Sequence, residues 1–379
     1  MIDEVSMMNY RLLDLLDRFL KELMGNNQYM GGKLVILMHD FRQILPVVPQ
    51  GNRADIISAA VINSEIWSHF VPLKLRQNLR VQKMLQQNAS PEQVQKLQEY
   101  SRWLLDMGDG KLPSAVPNVP GIIEIPSQMV CKTPKEMEDK VFNNFLHNYN
   151  DPEYLKTRAI MSSTNDVIQQ KNFEMVERLP GEMIVSHSID SCVEDSDVAT
   201  FDAEILNKIN ASGIPPHRLA LKVGACIILI RNLNVKHGHC NGTRYIIIEL
   251  TPRLIKARKL SGGQNSEILI PRIPMVSSDT DFPVPFKRLQ FPVLLAYYLT
   301  LNRAQGQSLD RAGIYLPKSV FSHGHLYVGC SRCGNPDCVF VYADQSEFDS
   351  MKQHLCANKT YTRNVVYPEI FPSSQSRDN

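Results

Sequence analysis

GGKLVILMHDFRQILPVVP, residues 31–49, is the stretch on which the fold turns. Its apolar run KLVILM (33–38) reads as a buried strand that passes directly into Asp40, Arg42 and Gln43, then into an apolar loop containing proline. A continuous apolar strand with a polar tip is what a parallel sheet, covered on both faces, presents at its ligand-binding edge. Upstream, MIDEVSM (1–7) has the same form, an apolar residue followed by Asp3 and Glu4. Between the two lie a helical pattern, YRLLDLLDRFLKEL (10–23), and the polar Gly-rich turn GNNQYMGG (25–32). Strand and helix alternate, so the class is α/β.

Two acids at one strand tip suit a nucleotide hydrolase, in which one carboxylate holds Mg²⁺ and its neighbour orients or deprotonates the attacking water. The plainer alternative for Asp3-Glu4 is an acidic helix start that complements the dipole. Gln43 after its strand fits a γ-phosphate sensor tied to a moving loop; alternatively Asp40 is a cap and Gln43 is merely exposed. In VPLKLRQNLRV (71–81), Arg76 and Arg80 would share one helix face. A guanidinium fork there can reach a transferring phosphate, or it can simply be solvated.

Further along, residues 81–110 are helical in pattern, with Ser90-Pro91-Glu92 as N-cap and first turn, and KLPSAVPNVPG (111–121) is a loop or boundary. RAIMSSTNDVIQQKNFEMVERLPG (158–181) reads as strand, turn and helix, capped by Thr164 or Asn165. From about 219 to 290 the chain turns to short strands, with Asn241-Gly242 as a hairpin signal, and a small antiparallel barrel is the economical reading. YYLTLNRAQGQSLDRAGIYL (297–316) and FSHGHLYVGCSRCGNPDCVFV (321–341) then return to α/β alternation. Each carries a polar cluster at an element terminus: Gln305-Gly306-Gln307-Ser308 and Ser331-Arg332. The tail from about 357, ending PSSQSRDN, is expected to be disordered.

With 379 residues, 43% of them hydrophobic, the chain can fill two or three cores. A formal charge of +2 gives no global basic field, so any nucleic-acid surface must be local. The longest apolar runs are too short to span a bilayer, and Asp3 and Glu4 stand where a targeting peptide would be basic. Eight cysteines without a framework fit reduced thiols in cytosol or nucleus. One cluster, Cys330, Cys333, Cys338 and Cys356 with His323 and His325, could be read as a zinc site. Against that, Cys330 and Cys333 straddle Ser331-Arg332, where helix packing is expected.

The ordered set IDEVSM, GGKLVILMHDFRQILPVVP, LKLRQNLRV, LTLNRAQGQSL and HLYVGCSRC resembles motifs II to VI of superfamily 1 helicases. The wording is similar to that of the petite-integration-frequency type of 5′-to-3′ ATP-dependent DNA helicase, in the versions carried by Helitron transposons. VGACIILIRNLNVKHGHCNGTRYIII looks like that family's SH3-like insert. The resemblance implies two RecA-like P-loop NTPase domains, the first incomplete, with the barrel inserted in the second. Its segments are 1–80 (motifs II to IV), a helical connector at 81–150, the second core domain at 151–222 and 291–345, the barrel at 223–290 and a tail at 346–379.

Carried onto this sequence, the resemblance implies that Asp3 holds Mg²⁺, that Glu4 activates water against ATP and that Gln43 senses the γ-phosphate, with Asp40 beside the nucleotide. It implies that Arg80 and Arg332 span the cleft and that Gln305 and Gly306 link nucleotide state to DNA grip. Thr164, Asn165 and Ser308 are then the DNA-contacting positions. Single-stranded DNA and forked duplex DNA are the implied partners, and the nucleus the implied location, or the mitochondrion if a transit peptide precedes this sequence. Repair, recombination, telomere maintenance and transposition are the settings in which such helicases work.

Departures from the family pattern carry weight too. His39 replaces a glycine, Arg303 a lysine, and Gly329-Cys330 an Ala-Leu pair. No G-x-x-x-x-G-K-[ST] phosphate loop occurs in the sequence. The expectation is therefore a truncated helicase with weak or no activity alone; the alternatives are an ATPase-dead relic that still binds single-stranded DNA or a protein, and a fragment of a longer active enzyme.

Overall fold

The computed structural model describes residues 1–75, 77–86, 90–193, 202–211, 213–261, 267–277 and 285–371. The chain forms two compact units, residues 1–134 with 304–379, and residues 135–303.

The first unit opens with helix α1 (Tyr10–Met24), started by Asn9, whose side chain accepts the Arg11 N–H, and ended by Gly25 at φ 62°. Leu13 is buried, and Leu16 and Leu20 pack with it around Val5, Phe41, Leu45 and Val61. KLVILM does not form the expected two-sided buried strand. Leu37 makes a single parallel bridge to Ile2. Val35 and Leu37 lie on the core, whereas Leu34, Ile36 and Met38 are 90%, 51% and 40% exposed. Extended backbone sends alternate side chains to opposite faces, and one of those faces is uncovered here.

Helix α2 (Arg53–Ala59) begins with a reciprocal Asn52–Asp55 capping box. Helix α3 (Leu79–Gln86) precedes α4 (Pro91–Gly108), which starts at N-cap Ser90 with Gln93 closing the box, the start expected from Ser90-Pro91-Glu92. Leu97, Tyr100, Leu104 and Met107, at helical spacing, form the buried face of α4. Strand β1 (Ile122–Ile125) follows.

In the second unit, β2 (Arg158–Ser162) leads through Thr164 into α5 (Asn165–Glu177). Then come β3 (Ile184–His187), β4 (Ile189–Cys192), β5 (Arg218–Leu221), β6 (Cys226–Leu229), β7 (Arg244–Leu250), β8 (Leu254–Lys259) and β9 (Glu267–Pro271). They are followed by β10 (Ile273–Val276), β11 (Phe286–Gln290), β12 (Val293–Leu295) and β13 (Tyr298–Thr300). The antiparallel five-stranded sheet, in the order β12-β6-β7-β8-β9, takes four strands from the insert expected at 223–290 and its edge strand β12 from just beyond it. Beside it stand the three-stranded β10-β11-β4 and the pair β3-β5, while β13 joins β2 in parallel. Asn241-Gly242 does not close a two-residue hairpin. The β6–β7 connection is a longer loop with a 3₁₀ turn at Val235–His237, and Gly242, at φ 87°, turns the chain back into β7.

The chain then returns to the first unit with β14 (Arg311–Leu316), α6 (His325–Ser331), β15 (Val339–Ala343) and β16 (Thr360–Arg363). β14 and β15 pair in parallel, and β16 pairs antiparallel with β1. The division differs from the expected segments: 304–345, expected in the second core domain, falls in the first unit, and 135–150, expected in the connector, falls in the second. The connector at 81–150 does not stand apart: α4 packs on α6, with the Tyr100 hydroxyl donating to the Cys330 carbonyl at 2.6 Å. Up to residue 371 the tail does not unravel: besides β16, Tyr367 and Ile370 lie in the core with Val5 and Phe41, while the rest of the expected disordered tail, 372–379, lies outside the described residues. Apolar residues spaced along a polar stretch supply that docking. Among the described residues, no helix is long and apolar enough to cross a membrane.

Candidate active site

The site grows from the Ile2–Leu37 bridge. Ile2 donates to the Ile36 carbonyl at 2.9 Å, and Met38 donates back to Ile2 at 2.8 Å. This sets Asp3 and Glu4 beside the segment that runs into Asp40. Glu4 turns the chain in the left-handed region, φ 55° and ψ 36°, a conformation that costs a non-glycine residue about 1 kcal/mol. Asp3 Oδ1 offsets part of this by accepting the Glu4 N–H at 2.8 Å. Among the described residues neither carboxylate has an ion-pair partner. Glu4 Oε2 instead accepts the Gln305 side-chain amide at 2.7 Å. Gly306 follows, where a β-carbon would come 3.8 Å from Glu4 Oε1. The free Gln305 oxygen is buried and unbonded.

Asp40 is used internally. Its Oδ1 accepts the Arg42 N–H at 3.1 Å, and its Oδ2 accepts the Tyr327 hydroxyl at 2.8 Å. Burial, reinforced by Asp40, pushes the Tyr327 phenol up and keeps it a donor. Arg42 reaches Asp109 at the end of α4, 2.6 Å away. The Gln43 Oε1 is buried without a partner. His39 does not adopt positive φ, so its position needs no glycine; its ring lies 4.3 Å from Phe41 and 5.5 Å from Trp67.

Arg332 ends α6 and folds back on it, donating from Nε to the Val328 carbonyl at 2.9 Å and from Nη2 to Ser331 Oγ at 2.9 Å. Burial lowers its pKa, the nearby Glu4 opposes that, and Arg80 adds to it. Arg332 therefore stands in the electrostatic neighbourhood of both Glu4 and Arg80. The Arg80 stem lies against Gly334, whose β-carbon would stand 3.2 Å from its Cδ. Arg76 lies outside the described residues.

The fold thus gathers Asp3, Glu4, Gln305, Gly306, Arg80 and Arg332 around one region, with Gln43 on the loop that begins at Asp40. Ser308 is an exposed neighbour of this set. Thr164 and Asn165 lie in the other unit, at the carboxyl end of β2, with Thr164 at the N-cap of α5 but making no side-chain cap bond. Sequence reading missed Tyr327 and Asp109, and gave His323 no role but that of a zinc ligand; the Asp40, Arg42 and Phe41 partners of these three are remote in the chain. Among the described residues, no three His, Cys, Asp or Glu side chains group to hold a metal ion. Cys333 instead donates to the Asp310 carbonyl, and burial raises Cys330 to about 12.

The carboxylate pair, the glutamine-bearing loop and the two arginines stand on an α/β core with a RecA-like fold. The family model for PIF1-like helicase matches residues 1–118, and that for the DNA helicase Pif1 2B domain matches residues 204–250. Over these two segments the chain is similar to the PIF1-like helicases. It is 23% identical to the ATP-dependent DNA helicase PIF1 of Danio rerio over 343 residues, covering 87% of this chain and 44% of that protein. The chain thus spans less than half the length of that relative. Pif1 helicase from Candida albicans has the same fold, with a TM-score of 0.56 at 21% identity, over 94% of this chain and 76% of that one. So does Pif1 from Bacteroides in complex with ADP-AlF3 and single-stranded DNA, with a TM-score of 0.58 at 18% identity, over 96% of this chain and 76% of that one.

Proposed function

We propose that this polypeptide works as part of a 5′-to-3′ ATP-dependent DNA helicase of the Helitron-like type, acting in the nucleus on single-stranded and forked duplex DNA. The observation that carries the reading is the Glu4 carboxylate, oriented by Gln305 and free of any ion pair among the described residues, near Arg332. A carboxylate so placed can take a proton from water as it attacks the γ-phosphate. Gln43 offers an unbonded amide oxygen on the adjacent loop, and Arg80 and Arg332 offer the positive charge that a phosphoryl transition state needs.

The donor set fits Mg²⁺. Asp3 is exposed and has one oxygen uncommitted, and Mg²⁺ in such enzymes takes one or two carboxylates together with substrate phosphates and water. The ion would be held at Asp3 and would neutralise phosphate charge. Thr164, Asn165 and Ser308 are assigned to the DNA backbone, whose contact needs no sequence preference.

Residues 1–379 alone should bind ATP weakly, because no phosphate loop is present among them to supply backbone amides, a lysine and a Mg²⁺-binding hydroxyl. That same feature favours a second reading, an ATP-independent binder of single-stranded DNA. DNA-stimulated ATP hydrolysis by this chain, measured beside single-stranded DNA binding across a salt series, separates the two. Slow turnover abolished by Glu4→Gln supports the hydrolase. Salt-sensitive binding with no turnover supports the binder, and turnover indifferent to Glu4→Gln removes Glu4 from the reaction.

A further inference from the structure

We propose that His323 is the positioning residue of the Asp40–Gln43 loop, bridging it to the C-terminal segment 364–371. The inference rests on the reading of Gln43 as the γ-phosphate sensor. The His323 ring is fully buried. Its Nδ1 accepts the Tyr367 N–H at 2.9 Å, and its Nε2 lies 2.7 Å from the Phe41 carbonyl. A carbonyl oxygen can only accept, so Nε2 carries the proton and Nδ1 is bare. One neutral tautomer satisfies both bonds. An imidazolium would set its new Nδ1–H against the Tyr367 N–H and break the bridge on the C-terminal side.

The groups facing the ring agree with a neutral state. Burial is the largest influence and lowers the His323 pKa; Arg53 acts the same way, while the Phe41 carbonyl and Asp40 oppose them. His325 stands beside it on α6, and Tyr367 and Phe371 flank it with ring centroids at 5.3 and 6.2 Å. Arg53 ties the same segment down from α2, pairing with Glu369 at 2.8 Å and lying 4.9 Å over the Tyr367 ring.

The rest of the loop is walled by backbone. Gly324 has φ 74°, and a β-carbon there would lie 2.6 Å from the Arg42 carbonyl oxygen and from the Gln43 carbonyl. A β-carbon at Gly108 would likewise meet Arg42 Cδ at 2.6 Å. The C-terminal segment is pinned to both walls: Gly324 donates to the Val365 carbonyl at 3.2 Å, and the Asn364 amide donates to the Met107 carbonyl at 2.8 Å. His323 therefore closes a circuit of loop, α6, C-terminal segment and α4. Within it the Gln43 Oε1 is buried and without a hydrogen-bond partner.

Amide hydrogen exchange on the whole chain tests this, at pH 7.5 and pH 5 after correction for intrinsic rates, in native protein, His323→Ala and His323→Gln. The glutamine amide can donate to the Phe41 carbonyl but does not titrate. In His323→Ala, exchange over 39–45 and 364–371 should quicken at least tenfold while the interior of α1 stays unchanged. Native protein should quicken over the same segments at pH 5. With His325→Leu present in both proteins, so that its titration is absent, His323→Gln should hold them at pH 7.5 and lose the pH response seen with His323. Native-like loop exchange in His323→Ala overturns the proposal, as does a pH response that survives in the His323→Gln, His325→Leu protein. If His323→Ala fails to fold, the pair in the His325→Leu background still decides. No nucleotide enters the readout. Hydrolysis unmoved by Gln43→Ala would defeat the sensor reading and leave the bridge intact.

Discussion

The Gln305 side-chain amide donates to Glu4 Oε2 at 2.7 Å while Glu4 holds a left-handed backbone conformation at φ 55°. A neutral donor orients the carboxylate without placing a second charge against it. Gln305→Glu would set a second carboxylate against Glu4, raise the proton affinity of the pair and leave less free base at neutral pH. The acidic limb of the rate profile should move to higher pH. At pH 7 the rate should fall at least tenfold, and by up to the roughly 10²- to 10⁴-fold that a general base contributes. Single-turnover ATP hydrolysis at high protein concentration, followed from pH 5.5 to 9, reads both effects. An unmoved profile would mean that Glu4 is not the base.

In the second unit, Arg288 and Asp190 form an ion pair in which both side chains are 0% exposed, with Nη2 and Oδ2 2.7 Å apart. The remaining guanidinium protons go to the carbonyls of Leu206, Ile209 and Pro215, and Asp190 also accepts from Ser188 Oγ. Removing one partner leaves the other charged and buried, which costs about 3 to 5 kcal/mol. Asp190→Leu should therefore lower the urea midpoint sharply. The double substitution Asp190→Leu with Arg288→Met should recover most of the loss, since an apolar pair of similar volume is often neutral. If the double variant is as unstable as the single, the pair itself contributes net stability here.

These two relationships mark where the sequence stops being readable. The α4 start at Ser90 was legible because a capping box is written within four residues. The order of the polar clusters, from Asp3-Glu4 to Ser331-Arg332, was legible because each lies at the end of an element. The Asp40–Tyr327 bond was not: its partners are 287 residues apart, and nothing local to either announces the other. KLVILM misled for a related reason. An apolar run records what a strand can bury, and whether a neighbour covers Leu34 and Ile36 is decided elsewhere in the fold. The C-terminal segment looked disordered because its polar composition outweighs the few residues, Tyr361, Tyr367 and Ile370, that dock it.

His325 sits just beyond the His323 bridge, 3% exposed, with its Nδ1 unbonded and the Phe321 ring edge-on at 5.0 Å. Burial, helped by the neighbouring His323, lowers its pKa from 6.5 to about 4. The folded state then binds fewer protons than the unfolded chain between those values, so stability falls as pH falls through that window. The stability at stake is on the order of 3 kcal/mol by pH 4, since each tenfold loss of proton affinity on folding is worth about 1.4 kcal/mol. His325→Leu removes both the titration and the unbonded nitrogen, whose burial costs about 1 to 3 kcal/mol. The variant should match or exceed native stability at pH 7.5, and its advantage should widen steadily from pH 6.5 down to 4.5. Urea midpoints at a series of pH values measure this. A difference between the two proteins that stays constant across the series would show that His325 is not the group whose protonation destabilises the fold.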